Sequence, residues 1–328
     1  MKLPSRILVT GASGFVGRHL TAELRKRLPA VTVIGTSRNG EVLPHVDETL
    51  LLDLADPYGL AAIIRKAKPD VVVHLAACAD VALSFRKPLE TWSTNLLGTV
   101  ALAEAVRIER PEAFLLFVSS AEVYGRSFLG NDTLGETAAL LPNNPYAASK
   151  AAADMAMEEM SIRGLRVVRV RPFAHTGPGQ SPNYVVPAFA RKIAGIEAGL
   201  REPVLHTGAL DRWRDLTDVS DVCEAYVDII LSQDRLPNGI ALNVCSGQTQ
   251  RIGDVLESLL AKAGVRATVE ESAALLRPTD VVRLCGDASV LHGYTGWEPK
   301  IPWDATLDAV LADWREKVRL FPAEAVTD

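Results

Sequence analysis

Three observations predict an α/β fold, a doubly wound parallel sheet with a smaller carboxy-terminal lobe. Short apolar runs alternate with helix-like segments through the first half of the chain, the rhythm of strand–helix–strand units. A run such as Asp70-Val71-Val72-Val73-His74-Leu75-Ala76-Ala77 is nearly all apolar, as suits a parallel strand buried on both faces. The first run, Arg6-Ile7-Leu8-Val9-Thr10, ends in Gly11-Ala12-Ser13-Gly14-Phe15-Val16-Gly17 and opens straight into a helix pattern.

That turn is the first candidate site. At a G-x-x-G-x-x-G spacing, Gly11 supplies the tight turn, Gly14 the close approach of a ligand and Gly17 the close packing of helix on strand. The first free N–H groups of the helix bring partial positive charge to the same place, which suits a pyrophosphate. Ser13, Phe15 and Val16 share the turn and join it as cofactor-binding candidates. The helix runs from Phe15 to Leu28 and stops before Pro29. A second strand, Val31 to Thr36, continues into Ser37-Arg38 with no acid at its end. A carboxylate there binds the ribose 2′-hydroxyl of NAD and repels a 2′-phosphate, whereas an arginine fork holds the phosphate. The expected cofactor is therefore NADP, as NADPH, with Arg38 on the phosphate and NAD as the alternative.

Thr49 to Leu54 reads as a third strand. Asp53 near its end either meets the adenine amino group or caps the helix from Pro57 to Ala67, and Leu54 is counted with it as cofactor-binding. The fourth strand ends in Leu75-Ala76-Ala77, where a cofactor can lie across the strand tips. A helix from about Glu90 to Arg110 contains Asn95, either an interior polar contact or part of a proton relay. Phe114 to Ser120 is a fifth strand running into hydroxyls. Ligands of a Rossmann-type doubly wound sheet sit beyond the carboxyl ends of its strands. The glycine turn, Arg38, Asp53, Ala76 and Ser120 all fall at such ends.

Asn144-Pro145-Tyr146-Ala147-Ala148-Ser149-Lys150 opens a helix that continues to about Ile162. Tyr146 and Lys150 share a helix face. A phenol with a pKa of ~10 is a poor acid–base catalyst at neutral pH. A neighbouring ammonium lowers that value, and a hydroxyl such as Ser120 orients the reacting oxygen.

These motifs carry a family resemblance. The glycine turn, Leu75-Ala76-Ala77, Ser119-Ser120-Ala121-Glu122-Val123-Tyr124-Gly125, Tyr146-x-x-x-Lys150 and the late Gly296-Trp297-x-Pro299 together resemble the extended short-chain dehydrogenases/reductases that act on nucleotide-activated sugars. The resemblance spans nearly the whole chain. It implies a catalytic set of Ser120, Tyr146 and Lys150, with Tyr146 and Lys150 also on the cofactor, His175 turned towards the cofactor, and Glu122 as a further catalytic candidate. Arg171 to Gln180, Arg212 to Val219 and Arg277 to Val281 are similar to segments of GDP-sugar enzymes. That implies NADPH-dependent reduction of the C4 keto group of a GDP-4-keto-6-deoxyhexose, with GDP-mannose 4,6-dehydration as the alternative. Val186, Arg214 and Arg277 are the implied substrate-binding residues, the arginines on the diphosphate; the plainer alternative is ion pairing with Asp215 and Asp280. The short segment from Ser37 to Glu48 and the Gly177-Pro178-Gly179-Gln180 run favour the reductase. Ala174 stands where the family has an asparagine. A non-catalytic NADP sensor on the same fold is the rival from another class, and the retention of serine, tyrosine and lysine argues against it.

The resemblance also implies a cofactor domain over residues 1–177 and a mainly substrate-binding lobe over 178–328, interleaved with late sheet elements at about 213–247. A homodimer or homotetramer is expected with it. The 328 residues are 48% hydrophobic and 23% charged, with a formal net charge of −5 and no dense basic run. That argues against a nucleic-acid partner, and no apolar run is long enough to span a membrane. Met1 to Pro4 leads directly into the first strand, which predicts no signal peptide. Cys78, Cys223, Cys245 and Cys285 lie far apart, which reads as reduced thiols in a cytoplasmic protein. No metal-ligand spacing occurs.

Overall fold

The computed structural model describes residues 3–130, 133–272, 275 and 281–323. The chain begins with β1 (Arg6–Thr10), α1 (Phe15–Arg27), β2 (Thr32–Ser37), β3 (Glu48–Leu51), α2 (Pro57–Ala67) and β4 (Val71–His74). It continues through α3 (Val81–Arg86), α4 (Pro88–Trp92), a π-helical turn (Ser93–Gly98), α5 (Thr99–Glu109), β5 (Phe114–Val118), α6 (Pro145–Ile162) and β6 (Arg166–Pro172). Then come β7 (Ala174–Thr176), α7 (Val185–Glu197), β8 (Val204–Thr207), β9 (Trp213–Asp218), α8 (Val219–Leu231) and β10 (Ala241–Val244). Last are β11 (Thr249–Arg251), α9 (Ile252–Ala263), β12 (Thr268–Glu271), β13 (Arg283–Leu284), α10 (Ser289–Thr295) and α11 (Trp303–Leu320).

Seven parallel strands make the main sheet, in the order β10-β6-β5-β4-β1-β2-β3. Successive side chains of a strand point to opposite faces, and β1 shows the consequence. Ile7 and Val9 pack with Leu20 and Leu24 of α1 and Val222 and Tyr226 of α8. Leu8 faces the other layer, with Ile64 of α2, Leu102 and Val106 of α5 and Met157 of α6. Helices therefore cover both faces, which is why the strands read as unbroken apolar runs.

The later chain builds a second core from α7, α9 and α11 around Ile193, Leu256 and Leu311. Here β9 pairs β7, β11 and β13, and β8 pairs β12. β10 nevertheless returns to the edge of the main sheet. Trp297, buried with its indole N–H on the Asp221 carbonyl at 3.0 Å, fastens the segment before α11 to α8.

Two sequence expectations change. The helix expected from Glu90 to Arg110 runs without a break from Pro88 to Glu109, but it includes a π-helical turn that carries Asn95. The third strand ends at Leu51, before Asp53 and Leu54.

The buried side of α6 carries a charge network. Asp154 is fully buried and accepts from Arg169 Nη1 at 2.8 Å and from Arg171 Nε and Nη2 at 3.0 and 2.8 Å. Arg171 also donates to Tyr124 Oη at 3.0 Å, and Tyr124 in turn donates to Asn243 Oδ1 of β10 at 2.8 Å. The paired guanidinium groups hold the Asp154 carboxyl below its ordinary range against the upward push of burial. Removing one member of such a set leaves its partners charged and dry. Asp154→Ala is expected to cost about 3 kcal/mol, seen as a lowered Tm in thermal unfolding; an unchanged Tm would mean the arginines are compensated elsewhere.

Candidate active site

The glycine turn is built for close approach. Gly11 has φ of +71°, and a Cβ on it would stand 2.9 Å from Ala76 N. A Cβ on Gly17 would stand 2.3 Å from Gly11 O, so α1 packs onto the turn only without one. Gly14 caps α1 with no side-chain acceptor, and the helix has no acid in its first turn. The positive end of the helix is thus left for an external anion. Ser13, Phe15 and Val16 are partly exposed along this turn. Leu75, Ala76 and Ala77 line the neighbouring tip of β4, also partly exposed. This cradle fits a dinucleotide pyrophosphate.

Other cofactor candidates are placed less uniformly. Arg38 is exposed just beyond β2. Asp53 is exposed and accepts from Ala55 N at 2.9 Å, while the cap of α2 is Asp56, which accepts from Tyr58 N at 3.1 Å. The capping alternative for Asp53 is therefore corrected. The Leu54 side chain is buried in the layer that includes α2 and α5. His175 stacks on Phe15 with ring centroids 6.2 Å apart and planes 8° from parallel. Its Nδ1 lies 2.9 Å from the Phe173 carbonyl, and burial pushes its pKa down.

The ends of β5 and α6 bring Ser120, Tyr146 and Lys150 to the same sheet edge. Ser120 follows β5 and its Oγ accepts from Glu122 N at 3.2 Å. Asn144 caps α6 by accepting from Ala147 N at 2.7 Å, with Pro145 in the first turn. Tyr146 is thereby fixed at the start of the helix, its own N–H donating to Ser84 Oγ at 3.2 Å. The Ser120 hydroxyl is a near neighbour of the Tyr146 phenol and draws its pKa down. Lys150, one turn on, is buried; its Nζ donates to the Val118 carbonyl at 2.5 Å and sits 4.7 Å from the Phe117 ring centroid. Burial brings Lys150 down to about 8, with Asp154 pulling the other way.

The phenol departs from expectation. Burial drives its pKa up, the neighbouring Ser120 hydroxyl draws it down, and nearby Tyr184 and Glu122 push it up again. Lys150 is occupied by the Val118 carbonyl rather than by the tyrosine. Glu122 is partly buried, with Asn144 Nδ2 at 3.4 Å from its carboxylate.

Asn95 resolves as a bracket. Its Oδ1 accepts from Cys78 N at 2.8 Å, and its Nδ2 donates to Cys78 O at 3.1 Å and to Ser149 Oγ at 3.0 Å. It ties the loop after β4 to α6 beside Lys150. Sequence reading missed Ser84, Tyr184 and His74. Tyr184 Oη reaches the Ala79 carbonyl at 3.5 Å, so the second lobe touches the loop after β4. His74 is buried between Thr10 Oγ1 at 2.7 Å and Thr99 Oγ1 at 3.0 Å. No spacing rule flags a histidine inside an apolar strand.

Among the substrate candidates, the Val186 side chain is buried and packs in the second core. Arg214 on β9 is partly exposed and donates to the carbonyls of Trp213 at 2.9 Å and Val282 at 3.3 Å. Asp215 turns the other way, accepting from Ser246, Gly247 and Gly286 N–H groups. Arg277 and Asp280 lie outside the described residues. Ala174 is exposed on β7, opposite Leu216 of β9. Among the described residues no group of three His, Cys, Asp or Glu could hold a metal ion, and no helix is long and apolar enough to cross a membrane.

A doubly wound sheet with a glycine cradle and a Ser–Tyr–Lys set on one edge defines an extended short-chain dehydrogenase/reductase. More narrowly, the chain belongs to the family described as GDP-mannose 4,6 dehydratase, which matches residues 8–310. It is 36% identical to the GDP-6-deoxy-D-mannose reductase of Pseudomonas aeruginosa, over 97% of this chain and 99% of that one. The solved structure of RMD from Pseudomonas aeruginosa complexed with NADPH is similar at a TM-score of 0.84 and 34% identity, covering 95% of this chain and 100% of that one. The UDP-glucose 4-epimerase of Thermus thermophilus, in complex with NAD, follows at 0.81 and 29%, covering 94% and 99%.

His74 adds a pH signature. Burial, with the Lys150 charge, pushes it from 6.5 to about 3. The folded value lies below the unfolded one, so its contribution is complete above pH 6.5 and is lost as pH falls towards 3. Stability measured by denaturant unfolding is expected to decline over that window, and the slope to flatten in His74→Gln. An equal slope in the two proteins would assign the acid sensitivity to other groups.

Proposed function

We propose that this chain uses NADPH to reduce the C4 keto group of a GDP-4-keto-6-deoxyhexose, giving a GDP-6-deoxyhexose. The observation that carries the reading is the meeting of Ser120, Tyr146 and Lys150 beside the uncapped glycine turn. Similarity over nearly the full length to a GDP-6-deoxy-D-mannose reductase supports the substrate.

The nicotinamide, when bound, supplies the hydride. The chain's own groups manage the charge that appears on the C4 oxygen. Tyr146 keeps its proton at rest, because burial raises its pKa, which suits an acid working in the reductive direction. As the oxygen gains charge, Tyr146 donates that proton, and the Ser120 hydroxyl holds the phenolic oxygen in line. The Lys150 ammonium stabilises the phenolate left behind. Gly11, Gly14 and Gly17 would hold the pyrophosphate, and Arg38 the 2′-phosphate. Arg214 would hold the sugar diphosphate. Residues 1–177 then form the cofactor domain and 178–328 mainly the substrate lobe.

A second reading, 4,6-dehydration of GDP-mannose, is favoured by the Glu122 carboxylate lying near Tyr146. Incubation with NADPH and GDP-4-keto-6-deoxymannose separates the two. Oxidation of NADPH is the expected result; no oxidation, with GDP-mannose converted to the keto-sugar, transfers the assignment to the dehydratase. Tyr146→Phe is expected to lose at least about 100-fold in turnover while keeping NADPH binding. Unchanged turnover would sink the catalytic role. Since Lys150 acts charged and titrates at about 8, the reductive rate is expected to fall as pH rises through that value.

We also propose a homodimer through the π-helical turn, α5 and α6, where Leu97, Ile108, Met155 and Ile162 are exposed. Sedimentation is expected to report a dimer in the wild type and a monomer in Leu97→Glu/Met155→Glu.

A further inference from the structure

Beyond β2 the chain places an acid where its sequence shows none. Ser37 closes the strand with its side chain buried, and its hydroxyl accepts from Asn39 N at 3.1 Å. Gly40 follows with φ of +69°, a left-handed turn that sends the backbone round. Glu41 is thereby brought back, and its carboxylate accepts a short hydrogen bond from the Ser37 hydroxyl. From α1, the Arg18 charge favours the same carboxylate in its ionised form, while its Nε donates to the Ser13 carbonyl at 2.9 Å. Arg38 is exposed next to them. One carboxylate and two guanidinium groups therefore surround the tip of the second strand, beside the glycine turn, where a doubly wound sheet receives the adenosine ribose.

We infer that Glu41 sets the choice between NADPH and NADH: held at Ser37 it accepts the ribose hydroxyls of NADH, and a 2′-phosphate must displace it. The inference rests on the reading of the glycine turn as a dinucleotide site. A carboxylate and a phosphate dianion cannot share one small site without strong repulsion. The displacement has a defined outcome, because it frees the Ser37 hydroxyl and Arg18 to join Arg38 on the phosphate. The movement is confined to an exposed loop, so it leaves β2 and the core untouched. Arg38 and Glu41 then pull in opposite directions. The chain takes both reduced cofactors, and the loop decides the ratio.

The test is direct binding to the apoprotein, by fluorescence titration with NADPH and with NADH, on the wild type, Glu41→Gln and Arg38→Ala. Adenosine 2′,5′-bisphosphate serves as a fragment probe that lacks the nicotinamide. Glu41→Gln is expected to shift the ratio of the two Kd values about tenfold towards NADPH and to tighten the bisphosphate. Arg38→Ala is expected to shift both the other way. A ratio unchanged within about twofold in Glu41→Gln, with both dinucleotides still bound, overturns the role of Glu41 alone. A wild type that binds neither dinucleotide overturns the cofactor site itself, and this inference with it. Thermal unfolding of each variant, expected to match the wild type, separates a binding change from a folding one.

Discussion

The buried carboxylate of Asp154 is the point from which the rest of the site takes its position. It projects from α6 one turn beyond Lys150 and is met by two guanidinium groups from β6. A buried ion is tolerated only when its partners are fully placed, so the helix has one seat on the sheet. Through Arg171 the same network reaches Tyr124, in the 3₁₀ turn after Ser120, and through Tyr124 it reaches Asn243 on β10. The turn that carries Ser120 and the helix that carries Tyr146 are thus referred to a common anchor. That arrangement holds a hydroxyl and a phenol in register without a direct covalent or backbone link between them.

What the sequence made legible follows from how local each signal is. Gly11 and Gly17 announce themselves because no other residue fits there, and the cap and proline before Tyr146 mark the start of α6 to the residue. Alternating strands and helices were readable for the same reason, since a doubly covered sheet writes apolar runs into the chain. Contacts across the fold were not. The side chains of Leu54 and Val186 are each turned into a core by packing that spacing does not encode. Asn95 sits in a π-helical turn, and an extra residue in a helical turn leaves no composition signature. The return of Glu41 to Ser37 was not legible either, because it depends on the left-handed turn at Gly40 rather than on spacing along the strand.

The electrostatics of Tyr146 and Lys150 were also read too simply. Spacing places an ammonium and a phenol on one face, and from that alone the phenol should be more acidic. Burial acts on both groups at once and disfavours charge on each. The phenol is pushed up and the ammonium down, and Lys150 directs its hydrogen bond to a strand carbonyl. The resting phenol therefore keeps its proton rather than being already ionised, a state that favours giving a proton over taking one, while Lys150 holds its own proton less firmly than a free lysine.

The edge strand β10 carries a consequence for how the chain is made. Its pairing partner β6 ends at Pro172, but β10 begins only at Ala241, after β7, β8, β9 and two helices have been synthesised. Until then β6 presents Val167, Val168 and Val170 on an unpaired edge, which is a template for wrong association. A fragment ending near residue 177 would keep the glycine turn and the Ser–Tyr–Lys set yet carry that bare edge permanently. The two lobes are consequently obligate companions in synthesis as well as in structure, and a recombination boundary has to fall after Val244.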